Sequence, residues 1–109
     1  MSQQHKSRAT ESFYGRRKGQ QLRGRKLRFM DELLPKLRVP VEQPPEGDMA
    51  ELFRQSAERT HLEIGFGGGE HLAHQARNHP EINFIGVEPF INGMAKMLGA
   101  IEDDNLNNV

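Results

Sequence analysis

The 109-residue chain has no cysteine and no tryptophan, and its aromatic side chains are six phenylalanines and one tyrosine. Without cysteine there is no disulfide scaffold, no thiolate metal site and no thiol nucleophile, and the composition is compatible with a reducing compartment. No apolar run approaches the ~20 residues of a membrane-spanning helix. Residues Met1 to Thr10 are polar and lack the apolar segment of a signal peptide. The expectation is therefore a soluble, cytoplasmic protein with no membrane partner. Apolar residues make up 35% of the chain and mean hydropathy is −0.75, so the core is modest and one small domain is expected. Nothing suggests a Ser/His/Asp set. His71 and His74 lie three apart without a third ligand, which reads as two solvated helix residues, and no metal is expected.

The formal net charge of zero conceals a division. Residues 1–38 carry eleven Lys/Arg against three Asp/Glu, or +8, and residues 39–109 carry four against twelve, or −8. Such asymmetry suggests an anion-seeking arm joined to an acidic domain. Within the arm, Phe13-Tyr14-Gly15-Arg16-Arg17-Lys18-Gly19 and Leu22-Arg23-Gly24-Arg25-Lys26-Leu27-Arg28 interleave cations with glycines and a few aromatics. That composition suits a backbone tracking phosphates while a ring stacks on a base, which favours RNA. The same residues also fit a solvated tail or a segment pairing with the acidic half, and Phe13 and Tyr14 fit anchors against the domain.

Leu27, Met30, Leu33, Leu34 and Leu37 recur at helical spacing, with Asp31 and Glu32 on the outer side. Pro35 is expected to end or kink this helix at Leu34. Residues 39–47, with three prolines, read as a stiff linker between an arm (1–38) and a domain (48–109). Asp48 and Glu51 resemble a capping box opening a short helix with Met49, Leu52 and Phe53 facing inward. Residues 105–109 have the look of an approach to a third strand.

The chemistry concentrates in Leu62-Glu63-Ile64-Gly65-Phe66-Gly67-Gly68-Gly69-Glu70. A short apolar strand precedes it and helical composition over Glu70 to Asn78 follows, so the glycines occupy a strand-to-helix turn. Such a turn lets a nucleotide-like ligand lie against bare backbone near a helix N-terminus. A second strand, Ile82 to Val87, closes on another carboxylate, Glu88. This predicts one βαβ unit with a parallel sheet. A helix with an apolar face from Phe90 to Ile101 follows, weakened in propensity by Gly93 and Gly99. The dinucleotide fingerprint would place a glycine at position 70, where this chain has Glu. The match is instead acidic-x-G-x-G-x-G, and two carboxylates at adjacent strand ends suit a ligand with an ammonium and a ribose diol.

With these motifs and the Phe13 to Gly19 segment in order, the chain resembles the bacterial tRNA (guanine-N7)-methyltransferases, class I S-adenosylmethionine-dependent enzymes. The resemblance implies an α/β, Rossmann-like class I methyltransferase fold, truncated after the first βαβα, with an N-terminal basic arm and helix. It implies transfer of a methyl group from S-adenosylmethionine to N7 of a guanine in the tRNA variable loop. Glu63, Gly65, Gly67, Gly69 and Glu88 would bind the cofactor, with Glu63 by the methionyl part and Glu88 on the ribose hydroxyls. Arg16, Arg17, Lys18, Arg23, Arg25 and Lys26 would hold tRNA. No catalytic residue is assigned. Members continue to a further acidic cofactor contact and a Pro-Asp-Pro-Trp type motif, both beyond Val109. The expectation is a partial domain that binds cofactor poorly and does not turn over alone. A non-catalytic RNA-binding fragment and an NAD-dependent Rossmann enzyme are the alternatives, the latter disfavoured by Glu70 and the basic arm.

Overall fold

The computed structural model describes residues 22–44, 47–53 and 55–109. Its elements are α1 (Gly24–Arg28), a π-helical turn (Phe29–Leu33), α2 (Leu34–Leu37), a 3₁₀ turn (Met49–Leu52), β1 (Arg59–Ile64), α3 (Glu70–Asn78), β2 (Ile82–Val87) and α4 (Ile91–Asp104). The α/β architecture expected from the sequence is present. β1 and β2 pair in parallel, in register from Arg59 opposite Ile82 to Ile64 opposite Val87.

Side-chain alternation explains the layering. Ile82 and Phe84 are buried, and a Cβ on Gly86 would meet Leu72 and Phe66 at 2.7 Å. That face of the sheet therefore receives α3, whose inward residues Leu72, Ala73 and Ala76 are mostly small and admit a close approach. Met97 of α4 completes this core. On the opposite face Leu62 and Ile64 are 60% and 74% exposed. Asn83, also on that face, is buried and held by Gln55, whose Nε2 donates to Asn83 Oδ1 (3.2 Å) and to the Pro80 carbonyl (2.7 Å).

Of the two outcomes expected at Pro35, an end or a kink of the arm helix at Leu34, the end does not occur. The helix continues to Leu37 instead of ending at Leu34, because the π turn precedes the proline: Leu34 N–H bonds the carbonyl of Phe29, five residues back, and Pro35 enters at the start of α2. Proline lacks the N–H that an unbroken α ladder would require, and a widened turn absorbs the mismatch. The turn also shifts the helix phase. Leu27, expected inward, is 47% exposed, while Phe29 is only 4% exposed and packs towards Gly99 of α4.

A further correction concerns residues 49–52, whereas residues 105–109 approach the sheet as expected. Met49 and Leu52 are exposed, since a single 3₁₀ turn is too short to lay an apolar stripe on the core; Phe53 is half-buried. Residues 105–109 form no assigned strand, but Phe84 N–H donates to the Asn108 carbonyl at 2.7 Å. The chain thus returns beside the edge of β2 away from β1. Asn108 is buried, with Nδ2 2.9 Å from the Ile82 carbonyl and 3.1 Å from those of Ala76 and His79.

Candidate cofactor loop

Gly65, Gly67 and Gly69 all have positive φ, at 78°, 64° and 87°, a conformation that residues bearing a Cβ rarely adopt. Their surroundings differ. Among the described residues, chain neighbours aside, no atom lies within 4 Å of a Cβ built on Gly65 or Gly67, whereas one on Gly69 would fall 2.4 Å from Met97 Sδ. The loop is thus backed by α4 at Gly69 and open to solvent over Gly65 and Gly67. Phe66, buried between these two glycines, anchors the loop in the core.

Backbone bonds fix the loop relative to both strands. Gly65 N–H donates to the Val87 carbonyl at 2.7 Å, joining the loop start to the end of β2, and Gly69 N–H donates to the Phe66 carbonyl at 3.0 Å. Ala73 N–H then meets the Gly69 carbonyl at 2.8 Å, so the first turn of α3 grows directly from the glycines.

Of the predicted carboxylates, Glu88 is integrated with the loop. Its Oε1 accepts the Gly67 N–H at 2.7 Å and its Oε2 accepts the Phe90 N–H at 3.0 Å, where α4 begins. Glu63 is half-buried near the end of β1, opposite Gly86. The five predicted cofactor residues therefore cluster at the C-terminal ends of two adjacent parallel strands, where open α/β sheets bind ligands. An apolar groove of about 500 Å³ between the arm helix, β2 and α4 contains none of the five.

Glu70, where a dinucleotide loop would carry glycine, opens α3 and pairs with Lys96 of α4, Nζ to Oε2 2.5 Å. The Lys96 hydrogen bond holds the Glu70 carboxyl below the usual carboxylate range. This pair stands beside Gly68.

Arg16, Arg17 and Lys18 lie outside the described residues, as do Phe13 and Tyr14. Arg23, Arg25 and Lys26 border a depression shared with Gly68, Gly69 and Lys96. They are not equivalent. Arg25 pairs with Asp103 of α4 and its guanidinium lies 4.8 Å from the Phe29 ring centroid, which ties it to arm docking. Arg23 and Lys26 are exposed. Among the described residues no group of three or more His, Asp or Glu side chains is placed to hold a metal, and no helix is long and apolar enough to cross a membrane.

Two residues that sequence reasoning did not assign to the site are found behind it. Met97 backs Gly69, and Gly93 abuts Gly67, its virtual Cβ falling 2.1 Å from the Gly67 carbonyl oxygen. Only Gly93 left a legible signal: a glycine inside an otherwise apolar helical pattern implies close packing.

Residues 57–109 match a family model described as "Putative methyltransferase". Curated relatives match the whole chain: proteins named tRNA (guanine-N(7)-)-methyltransferase from Rhizobium meliloti (strain 1021) and Agrobacterium fabrum (strain C58 / ATCC 33970) are 50% and 48% identical over 109 residues, in each case all of this chain and 47% of the relative. A protein of the same name from Rhodopseudomonas palustris (strain BisB5) is 55% identical over 98 residues, 90% of this chain and 38% of the relative. The chain thus spans about half the length, or less, of these relatives.

Proposed function

Given that the chain belongs to the tRNA (guanine-N7)-methyltransferase family, we propose that it supplies the first part of an S-adenosylmethionine site and part of the tRNA-holding surface of an enzyme that methylates guanine N7. The observation that carries this reading is the arrangement of Glu88 with the open loop. Both carboxylate oxygens are already fixed by backbone N–H groups of Gly67 and Phe90. Each oxygen retains a lone pair, so the carboxylate can accept from both hydroxyls of a ribose diol without losing either tether. The absent side chains at Gly65 and Gly67 leave room for a ligand against the backbone.

Glu63 would face the ammonium of the methionyl group, and Gly65, Gly67 and Gly69 would form the floor beneath the nucleoside. When bound, S-adenosylmethionine supplies a methyl group on a sulfonium, with a neutral thioether as the leaving group. Guanine N7 offers a free lone pair, so the residues of this chain need to align two reactants and need not move a proton. Carboxylates near a purine that becomes cationic add electrostatic stabilisation. Glu70 argues for this cofactor over a dinucleotide, because a carboxylate at the first position of α3 disfavours a pyrophosphate there. Arg23 and Lys26, with Arg16, Arg17 and Lys18 preceding them, would meet tRNA phosphates, and the division into arm, linker and domain follows the same logic.

The exposed Leu62 and Ile64 indicate a sheet face with surface still to bury. Weak cofactor binding and no turnover are therefore expected of the 109 residues on their own. The test is calorimetric titration with S-adenosylhomocysteine and with NAD, together with methyl incorporation into unmodified tRNA. Weak, Glu88-dependent binding of the first ligand without turnover supports the proposal. Preferential NAD binding overturns it.

A further inference from the structure

We propose that Gly93 is a positioning residue for the cofactor loop: α4 approaches Gly67 so closely that only a residue without a side chain allows Gly67 to keep its hydrogen bond to Glu88. The inference rests on the functional reading above for its ligand, but its geometry stands independently. A Cβ on Gly93 would lie 2.1 Å from the Gly67 carbonyl oxygen, 2.9 Å from its carbonyl carbon and 3.5 Å from Glu88 Cγ. The first two contacts are with backbone, which cannot rotate aside as a flexible side chain can.

Gly67 is thus held from two directions by the second strand-helix unit. Its N–H is taken by Glu88 at 2.7 Å and its carbonyl rests on Gly93, while its φ of +64° favours glycine at position 67 itself. One turn further along α4, Met97 backs Gly69. Residues 93 and 97 share one face of the helix, so that face sets the height of the loop at two of its three positive-φ glycines.

The consequence of a methyl group at position 93 follows from distances. Restoring ordinary contact requires the loop or the helix to retreat on the order of 1 Å, and that carries the 2.7 Å bond from Gly67 to Glu88 past the ~3.5 Å at which it ceases to be a hydrogen bond. Glu88 would then keep only its Phe90 tether and lose its orientation towards the diol. Gly99 provides the internal control. It lies on the same helix, and among the described residues its virtual Cβ meets only Phe29 Cε2, at 3.4 Å, away from the loop.

The experiment compares the chain with its Gly93→Ala and Gly99→Ala variants by circular dichroism, by amide hydrogen exchange at Gly67, and by titration with S-adenosylhomocysteine. In the unaltered chain the Gly67 amide is expected to be protected by its bond to Glu88. Gly93→Ala should abolish that protection and weaken ligand binding roughly ten-fold or more, whereas Gly99→Ala should leave the Gly67 amide unchanged. An unchanged Gly67 amide in a folded Gly93→Ala variant overturns the proposal. Should that variant not fold, the unaltered chain decides: nuclear Overhauser contacts between the Gly93 α-protons and the loop, with a protected Gly67 amide, support it, and their absence overturns it. Failure of the unaltered chain to bind the ligand would count against the cofactor assignment alone, because the amide measurements need no ligand.

Discussion

Glu88 and Gly67 are joined across the ends of the two strands: the carboxylate that closes β2 accepts the N–H of the central glycine of the loop that follows β1, at 2.7 Å. The second oxygen of the same carboxylate accepts from Phe90 at 3.0 Å. One side chain thus links the loop to the start of α4.

Replacing that side chain distinguishes tether from ligand contact. Hydrogen bonds to charged groups contribute about 1.5–3 kcal/mol, so Glu88→Ala should weaken S-adenosylhomocysteine binding by roughly ten-fold to a hundred-fold. Glu88→Gln keeps one carbonyl acceptor for Gly67 or Phe90 and should fall between the two. Isothermal titration of the three proteins checks the order, and equal affinities would remove Glu88 from the site.

The arm helix is held by Phe29 and by the Arg25–Asp103 pair. Phe29→Ala removes a nearly fully buried ring, and such changes typically cost about 3–5 kcal/mol, reduced where a site can collapse or the element can detach. The expected result is loss of exchange protection over residues 24–37 with α3 and β2 still protected. Hydrogen exchange resolved by segment measures this, and uniform loss throughout would mean the arm is part of one cooperative unit.

Asn108 places one amide nitrogen within 3.1 Å of three carbonyls. Asn108→Ala removes that donor in a buried setting, leaving the His79 carbonyl only the Ile82 N–H, at a cost of about 1–3 kcal/mol. Urea denaturation of the variant should show a lower midpoint. An unchanged midpoint would mean the returning chain contributes nothing to stability.

For Glu70 the sign of the pH effect follows from its partner. Lys96 holds the carboxyl below its usual range, so the interaction contributes while Glu70 is ionised and is lost as pH falls through its depressed pKa. Both side chains are more than half exposed, and the effect on stability is accordingly small. Carboxyl carbon shifts should place the Glu70 midpoint below that in Lys96→Met, where only the backbone hydrogen bond still lowers it. Coincident midpoints would dissolve the pair.

The regular elements were legible because their signals were local. The glycine turn, Pro80 after α3 and Pro89 after β2 punctuate the chain, and the predicted bounds Glu70–Asn78 and Ile82–Val87 coincide with the observed helix and strand. What escaped depends on neighbours distant in sequence. Pro35 suggested a helix end or kink, but a π turn needs only one widened hydrogen bond to carry the helix past it, and the resulting phase shift exchanged Leu27 for Phe29 as the inward residue. Gly93 read as a weakness in α4 because its reason, the Gly67 carbonyl, lies 26 positions earlier. The cluster of Glu88 with the loop glycines was foreseeable from strand ends, yet the direct bond from Gly67 was not.

The arm's cations, finally, should separate on RNA. Arg23 and Lys26 are exposed, whereas Arg25 is engaged by Asp103 and lies over the Phe29 ring. Each phosphate contact contributes about 0.7–0.9 to the slope of log affinity against log salt. Replacing Arg23 and Lys26 together by alanine should therefore lower the tRNA-binding slope by roughly 1.4–1.8 and leave the arm docked. Arg25→Ala should do the reverse, changing the slope little while loosening residues 24–37 in hydrogen exchange. Filter binding across a salt series, paired with exchange on the same proteins, reads both effects. A full unit of slope lost in Arg25→Ala with the arm still protected would show that Asp103 yields Arg25 to phosphate.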